Sequence, residues 1–453
     1  MKVIIVGCGK VGSTIARSLV SENHDVILVD KSQSLVDAVS SDIDCMAVVG
    51  NGAIQSVLIE AQIETADFLI ACTSSDEINI LTCFLARKTS KCRTVARIRN
   101  LEYAKQIEYI MKELDISLTI NPELETAREI ARILRYPKSI SSDTFFNGRF
   151  NSLMISIPDD SKIIGMKLKD ANILLHSNVL VCAIERGDEI IIPNGNSEIK
   201  KGDKILFVAD HNNVVSFFKA IGYEYKSLKS YMIIGASRIT YYLIDILNKY
   251  NSNINIKVFD KDIKICEDLA SKYPNVSVIN ADATEGNILH QEGIDDTDAF
   301  ITLTGIDEEN IILALLANNN GKTKSIAKVN HMNFVYAIRK LDVGSIVNPE
   351  RVAANLISSY VRAANDSGES NIETLYKLFD GRVEALGFKI TSKSKATDVK
   401  LKDLNLKSNV VIAGIYRKGA VIRPTGYDEL KVGDSVAIIT KDNVLNDIVD
   451  IVA

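Results

Sequence analysis

Short apolar runs alternate with longer amphipathic stretches along most of this chain. In the first part, the apolar runs lie at 3–6, 25–30, 45–50, 67–73 and 93–98. Runs of this length, separated by stretches long enough for helices of about 10 to 15 residues, are typical of βαβ units with a buried parallel sheet. The pattern therefore predicts a Rossmann-like α/β domain at the start of the chain.

The same pattern occurs a second time, at an offset of about 230 residues. Three pairs of segments match: 181–209 with 412–440, 72–80 with 303–311, and 120–130 with 347–357. The first pair aligns without a gap, and its arginine, proline and glycine positions coincide. Self-similarity at a fixed offset indicates tandem copies of one structural unit.

Each copy divides into two parts by its pattern. After the predicted parallel sheet comes a part rich in short alternating strands, with hairpin turns expected at "RGDE" (186–189) and "RKGA" (417–420). The predicted fold is α/β, with two tandem Rossmann-like parallel-sheet domains, each followed by a small α+β domain. We expect the four domains at residues 1–140, 141–226, 227–367 and 368–453.

Composition and charge narrow the class of protein. The 453 residues are 46% hydrophobic and 25% charged, with a formal net charge of −5, which is typical of a globular protein and gives no basic surface for nucleic acid. No apolar run approaches the roughly 18 to 20 residues of a membrane-spanning helix. Glycines interrupt the first run after four residues, so we expect no signal peptide. Seven cysteines without metal-ligand spacing predict reduced, cytosolic thiols.

The first copy carries a glycine motif directly after its first strand. Gly7, Gly9 and Gly12 form G-x-G-x-x-G. In this setting the first glycine permits a tight turn, the second lets a diphosphate approach the backbone, and the third lets the helix pack on the strand. Asp30 ends the second strand, where a carboxylate binds ribose hydroxyls and disfavours a 2′-phosphate; the neighbouring Lys31 weakens that preference. The motif predicts a nucleotide site that prefers NAD; the alternative is a turn that serves only packing.

Polar residues at other strand ends extend this predicted site, because the carboxyl ends of parallel strands line the ligand crevice. We expect Asn51 and Thr73 to contact the nucleotide, with loop capping as the alternative, and Arg97 to face the diphosphate. Asp76 and Glu77 suit a helix N-terminus. The predicted cofactor-binding residues of the first copy are Gly7, Cys8, Gly9, Lys10, Val11, Gly12, Asp30, Lys31, Asn51, Gly52, Thr73, Ser74, Asp76, Glu77 and Arg97.

The second copy departs from the glycine motif. Gly235 is kept, but Ser237 and Thr240 replace the second and third glycines. We expect Ser237 to crowd a diphosphate and Thr240 to push the helix from the sheet. Asp260 and Asp282 still stand at the strand ends, so a different nucleotide, or none, is expected there.

Catalytic and metal-binding patterns are missing from the sequence. The five histidines lie in unrelated contexts, and neither H-E-x-x-H nor G-x-S-x-G occurs. The sequence therefore predicts no catalytic residues and no metal site.

The order of these motifs resembles the TrkA family of potassium-uptake regulatory subunits over essentially the whole chain. In that family each half is an RCK-type (KTN) nucleotide-binding domain followed by a TrkA-C domain. The resemblance implies a non-enzymatic protein, peripheral on the cytoplasmic face of the membrane, that forms a homotetrameric ring beneath a potassium-translocating subunit of the TrkH or KtrB type. Binding of NAD(H) or ATP/ADP would change the ring and gate potassium flux.

Carried over by position, the resemblance assigns the first site to the glycine loop, Asp30, Asn51, Thr73 and Arg97. In the second copy it extends only to Asp260, Asp282 and Thr304. Two alternatives stay open. One is a regulator of a different cation channel or transporter, and the other is an NAD-dependent oxidoreductase, which would need a general acid or base beside the nicotinamide.

Overall fold

The computed structural model describes residues 1–100, 102–103, 106–136, 141–145, 150–175, 179–223, 227–250, 253–285, 287–318, 323–331, 341, 343–364 and 372–453. It contains two six-stranded parallel sheets and two five-stranded antiparallel sheets. This arrangement confirms the predicted α/β fold with small additional domains. Over the ranges described, no helix has both the length and the hydrophobicity needed to cross a membrane.

The first parallel sheet has the strand order β3-β2-β1-β4-β5-β6. Its strands are Lys2–Val6 (β1), Asp25–Asp30 (β2), Met46–Val49 (β3), Phe68–Ala71 (β4), Arg93–Arg97 (β5) and Leu118–Ile120 (β6). The helices are Lys10–Ser21 (α1), Gln33–Ser40 (α2), Gln55–Glu60 (α3), Asp76–Thr89 (α4), Ile107–Leu114 (α5) and Pro122–Arg135 (α6). The central strands are buried on both faces, as their continuous apolar sequences require.

The first antiparallel sheet follows, in the order β10-β9-β11-β8-β7. Its strands are Ser141–Phe145 (β7), Phe150–Ser156 (β8), Leu180–Arg186 (β9), Glu189–Ile191 (β10) and Lys204–Ala209 (β11), with helices Leu168–Leu175 (α7) and His211–Ala220 (α8). The predicted hairpin joins β9 to β10. Arg186 donates from Nε and Nη2 to the buried Asp203 carboxylate at 2.8 and 2.7 Å.

The second copy repeats both sheets. Its parallel sheet has the order β14-β13-β12-β15-β16-β17, and its antiparallel sheet the order β18-β19-β22-β20-β21. The strands are Ser230–Ile234 (β12), Asn255–Asp260 (β13), Val276–Asn280 (β14), Ala299–Thr302 (β15), Lys324–Lys328 (β16), Ser345–Val347 (β17), Ile372–Leu378 (β18), Val383–Lys389 (β19), Val410–Arg417 (β20), Ala420–Ile422 (β21) and Ser435–Lys441 (β22). The helices are Arg238–Tyr250 (α9), Ile263–Lys272 (α10), Ile288–Gln291 (α11), Asp307–Asn318 (α12) and Pro349–Ala364 (α13).

The chain folds into two compact units that do not follow the repeat. One unit consists of Met1–Thr126 with Asn348–Val361, and the other of Ala127–Val347 with Arg362–Ala453. In the first unit, Ser358 Oγ of α13 lies 2.9 Å from Ser18 Oγ of α1. The ring of Tyr360 meets Phe68 edge-on, with centroids 5.8 Å apart. A helix from the second copy thus helps to cover the sheet of the first.

In the second unit, the two antiparallel sheets share one apolar core. The core combines alanines of both copies, including Ala183 on β9 and Ala413 on β20, with larger apolar side chains such as Phe145 and Leu206. At its edge, Arg382 donates from Nη1 to the carbonyl oxygen of Asp188 at 2.8 Å. The small domains of the two copies therefore stabilise each other.

Candidate functional site

The three glycines of the loop between β1 and α1 differ in how closely the rest of the protein packs against them. Gly7 has φ +107°, and a Cβ there would lie 2.9 Å from the backbone of Cys72 and Thr73. A Cβ on Gly12 would lie 1.9 Å from the carbonyl oxygen of Gly7. Gly9, in contrast, has no atom of the described residues within 4 Å of its Cβ position. Packing therefore requires Gly7 and Gly12, whereas Gly9 leaves open space in front of a helix N-terminus, where a phosphate binds well.

Asp30, at the end of β2, ties this loop to the sheet. Its Oδ2 accepts a hydrogen bond from the Cys8 backbone N–H at 2.7 Å, and its Oδ1 accepts one from the Ser32 N–H at 2.9 Å. A carboxylate has about four acceptor positions, so each oxygen keeps one for a ribose hydroxyl. Lys31, beside it, is exposed. Asp30 therefore fixes the backbone of the glycine loop, in addition to the predicted contact with the ribose.

The other predicted loop residues differ in whether they are exposed to solvent or packed against the protein. Lys10 begins α1 and is exposed, whereas Val11 is buried in the core. Gly52 packs so tightly that a Cβ would lie 2.3 Å from Val6 Cγ1. Asn51 is exposed and accepts the Ala53 N–H on its Oδ1 at 3.0 Å. Asn51 and Lys10 therefore lie where a ligand can reach them, and Val11 serves packing.

Two thiols lie beneath the loop. Burial raises the pKa of both Cys8 and Cys72 to about 12. The Cys72 Sγ lies 3.5 Å from the carbonyl oxygen of Gly7. Both groups are neutral thiols at physiological pH, and they pack the loop rather than react.

Thr73, at the end of β4, belongs to a buried clamp that the sequence did not reveal. Its N–H and its hydroxyl both donate to Asn79 Oδ1 at 2.8 Å. Asn79 is fully buried and donates from Nδ2 to the carbonyl oxygen of Arg97 at 2.9 Å. The clamp recurs in the second copy, where Asn310 joins Thr304 to Lys328. The shared asparagine was visible in the sequence repeat, but its partners are not neighbours in the chain.

Charged residues gather at the carboxyl ends of β4 and β5. Asp76 has only 7% of its surface exposed, and its Oδ2 accepts the backbone N–H groups of Arg99 and Asn100 at 2.8 and 2.7 Å. The Arg97 guanidinium lies 3.6 Å from the Glu123 carboxylate, and burial lowers its pKa. Glu123 was not among the predicted site residues, although it lies in the repeated "NPE" segment.

The remaining two predicted residues frame the start of α4. Ser74 is exposed, and its carbonyl oxygen accepts a hydrogen bond from the Arg99 guanidinium. Glu77 is also exposed and accepts from the hydroxyls of Ser75 and Tyr103 at 2.7 and 2.9 Å. These contacts fix the loop that leads into the helix.

The second copy keeps the backbone support of this site, but Ser237 stands in place of Gly9. Gly235 has φ +96°, and the Asp260 carboxylate accepts the Ala236 N–H at 2.7 Å, as Asp30 accepts that of Cys8. Thr240, which was expected to push the helix from the sheet, is fully buried and donates from Oγ1 to the Gly235 carbonyl oxygen at 2.6 Å. The helix start has therefore adapted to the threonine through a hydrogen bond.

Asp282 takes the position of Asn51 in the second copy. Its Oδ1 accepts the N–H and the hydroxyl of Thr284 at 2.9 and 2.7 Å, and these hydrogen bonds lower its pKa. Lys261 Nζ lies 3.7 Å from its Oδ2. A carboxylate thus replaces an amide at this strand end, and the two crevices differ in charge. Among the residues described, no group of three or more histidine, cysteine or acidic side chains could hold a metal ion.

Comparison with known families matches nearly the whole chain. The model of the TrkA-N domain matches residues 3–122 and 231–349, and the model of the TrkA-C domain matches 153–222 and 386–453. A relative from Archaeoglobus fulgidus, described as a Trk system potassium uptake protein TrkA homolog, is 30% identical over 443 residues. The match covers 97% of this chain and 97% of the relative.

Solved structures share the fold. A structure described as the GsuK channel bound to NAD has a TM-score of 0.62 and 16% identity, covering 97% of this chain and 77% of that chain. Another, described as GsuK bound to ADP, has a TM-score of 0.51 and 16% identity, covering 80% of this chain and 69% of that chain.

Proposed function

This chain belongs to the TrkA family, and we propose that it is the nucleotide-sensing regulatory subunit of a Trk- or Ktr-type potassium uptake system. The observation that carries the proposal is the open space at Gly9. Gly7 and Gly12 are needed for packing, but no atom of the residues that the structure describes lies within 4 Å of the Cβ position of Gly9. A phosphate group drawn to the start of α1 accounts for this clearance.

NAD(H) is the proposed ligand of the first crevice, and ATP or ADP shares the adenosine and diphosphate that the loop would bind. The remaining acceptor positions on Asp30 suit ribose hydroxyls. The GsuK structures bound to NAD and to ADP support both kinds of ligand for this fold. In the second copy Ser237 replaces Gly9, and its Oγ lies 3.4 Å from Thr240 Oγ1. We expect this side chain to crowd a diphosphate, so we do not propose a dinucleotide there.

Regulation would arise from different affinities of the ligand for two shapes of the assembly. We propose a homotetramer on the cytoplasmic face of the membrane, bound to a potassium-translocating subunit of the TrkH or KtrB type and without enzymatic turnover. A tenfold shift between two shapes needs about 1.4 kcal/mol of differential binding. A few hydrogen bonds at the strand ends are sufficient for that difference.

The proposal is tested by potassium flux into vesicles that contain the membrane subunit and this protein. NADH, ATP or ADP should change the flux, and Gly9→Val should abolish the response to the nucleotide that binds the first crevice. Binding without any change in flux would contradict the proposal and favour a regulator of another cation channel. Steady NADH oxidation with any metabolite would instead support an oxidoreductase.

A further inference from the structure

The outermost strand of the first parallel sheet and its two flanking helices expose apolar side chains. β3 stands at the end of this sheet and pairs with β2. Single exposed apolar residues are ordinary on protein surfaces, but a group of them on neighbouring elements marks an interaction site. We call this group the β3 edge surface; its members are 43% to 49% exposed and are Leu35 on α2, Met46 and Val49 on β3, Ile54 before α3 and Ile59 within it.

These side chains lie around the edge of the sheet rather than on one face. Val48 is buried in the core with Leu58 of α3. Met46 lies on the same face of the strand, two residues earlier, and its Sδ lies 3.5 Å from Gln62 Nε2. Val49 points to the other face, on which α2 packs. Apolar side chains therefore stand on both sides of one strand edge.

The second copy shows that the fold does not require these side chains. The sheet registers align Met46 with Ser277 and Val49 with Asn280 on the corresponding edge strand, β14. Both are exposed polar residues. Edge strands commonly carry polar or charged side chains, which discourage unwanted association. The first copy thus keeps an exposed apolar edge that its own repeat does without, and a function in binding accounts for this difference.

The charge around the β3 edge surface restricts what can bind to it. Residues 32–67, which include all five of its members, contain six acidic residues and no lysine or arginine. Asp44 precedes β3, Glu60 ends α3 and Glu64 follows it, and all three are exposed. A complementary partner therefore needs apolar side chains accompanied by positive charge.

Two other occupants do not meet this requirement. A second copy of this chain, docked through the same surface about a two-fold axis, would place acidic residues against acidic residues. The cytoplasmic leaflet of a membrane carries anionic lipids, which would repel the same residues. Charge thus favours a basic protein segment over both.

We propose that the β3 edge surface docks a cytoplasmic segment of the potassium-translocating membrane subunit in which apolar side chains are flanked by lysine or arginine. Cytoplasmic loops of membrane proteins carry an excess of these basic residues. The inference rests on the proposed function, because that function supplies the membrane subunit.

The position of the surface connects docking to the nucleotide crevice. Val49 directly precedes Gly50, whose N–H donates to the Asp30 carbonyl oxygen at 2.8 Å. Asn51, the next residue, is one of the predicted nucleotide contacts. A segment docked at β3 thus lies beside the loop that a nucleotide would contact, and the affinity for one can depend on the other.

The test measures binding of the full-length protein to the membrane subunit held in lipid nanodiscs. Met46→Ser combined with Val49→Asn gives β3 the residues of β14 and should weaken binding at least about tenfold, because less apolar surface is buried. Leu35→Ser should also weaken binding. The matched control is Ile265→Ser, at the corresponding exposed position of the second copy, and it should bind like wild type. All of these variants should keep the wild-type melting temperature and bind NADH.

The contribution of charge is tested separately. Glu60→Lys combined with Glu64→Lys should weaken binding and reduce its dependence on salt, because the attraction to basic residues is removed. If the double variant of β3 does not fold, this charge variant decides, since it changes only exposed side chains.

The outcomes separate this inference from the proposed function. Equal binding by wild type and the apolar variants would overturn the docking surface and leave the proposed function intact, and so would an equal loss in Ile265→Ser. Binding to nanodiscs of anionic lipid alone, lost in the variants, would assign the surface to lipid instead. A smaller assembly of the variants in light scattering would assign it to self-association. Failure of wild type to bind the membrane subunit at all would contradict the proposed function itself.

Discussion

At the scale of single residues, the three glycines of the first loop show how far a motif can be interpreted. The spacing predicted a turn, an approach to phosphate and a packing contact, and the geometry of Gly7 and Gly12 agrees with the first and the third. The clearance at Gly9 can be seen only in three dimensions, because it depends on what the rest of the chain leaves empty.

Substitution of Gly9 by valine should block nucleotide binding without destabilising the protein. In the part of the chain that the structure describes, no atom lies within 4 Å of the new Cβ, but the added side chain would fill the space that a diphosphate would occupy. Calorimetry with NADH and a thermal melt measure the two effects. Gly12→Val is the contrasting variant, because its Cβ would collide with the loop and lower the melting temperature. Retained binding in Gly9→Val would mean that the diphosphate lies elsewhere.

Removal of the Asp30 carboxylate should weaken NADH binding by about 1.5 to 3 kcal/mol, because charged hydrogen bonds to the ribose are lost. The change should also loosen the loop, since Asp30 holds the Cys8 N–H at 2.7 Å. Asp30→Ala is therefore compared with Asp260→Ala, which loosens the corresponding loop of the second copy. Equal NADH affinity for wild type and Asp30→Ala, measured by calorimetry, would contradict the ribose contact.

Other residues could not be assigned from the sequence, because their partners are distant in the chain. Asp76 was interpreted from its place at a helix start, yet its backbone partners Arg99 and Asn100 follow β5 in the chain, more than 20 residues later. Thr73 was expected to meet the nucleotide, but its hydroxyl donates to Asn79. Sequence patterns report which side chains stand at a strand end, and only the folded chain decides which of them are already occupied.

At the scale of elements, apolar periodicity predicted the strands that are buried on both faces. It missed β6, because a strand of three residues, two of them partly exposed, carries too little pattern. It also could not assign α13 to the first sheet. Amphipathicity shows that a helix covers something, but not which sheet it covers.

The start of α12 offers a prediction on stability and pH. Burial would raise the pKa of Asp307, but hydrogen bonds from Asn330 and His331 outweigh it and lower the pKa. A depressed carboxyl pKa adds stability above the unfolded value of about 4, and this stability is lost as the pH falls through the folded value. Asp307→Asn should therefore cost about 1 to 3 kcal/mol near pH 7 and progressively less below about pH 4.

Urea unfolding of both proteins between pH 7 and pH 3 measures this difference. Glu308→Gln is the matched control, because the exposed Glu308 stands in the same first helical turn. Its effect should be small at every pH. A cost of Asp307→Asn that stays constant as the pH falls would show that the charge of the carboxylate does not contribute.

At the scale of the whole molecule, the repeat predicted the order of the four sheets but not how they combine. Two similar halves suggest two similar units. Instead, residues 348–361 of the second copy belong to the unit that contains the first parallel sheet, and the antiparallel sheets of both copies share one core in the other unit. The shared core of the antiparallel sheets brings together residues such as Ala183 and Ala413, which lie more than 200 residues apart in the chain, and sequence periodicity carries no information on such pairs.

The repeat also leads to a prediction about stoichiometry. The two halves keep the same loop support through Asp30 and Asp260, but Ser237 stands in the second half where the first has Gly9, and we expect it to crowd a diphosphate. Calorimetric titration with NADH should therefore give one site per chain, and Gly9→Val should give none. A value of two for wild type would show that Ser237 turns away from the ligand. In that case Ser237→Val, the corresponding change in the second half, should return the count to one, and both halves would then act as sensors of the same dinucleotide.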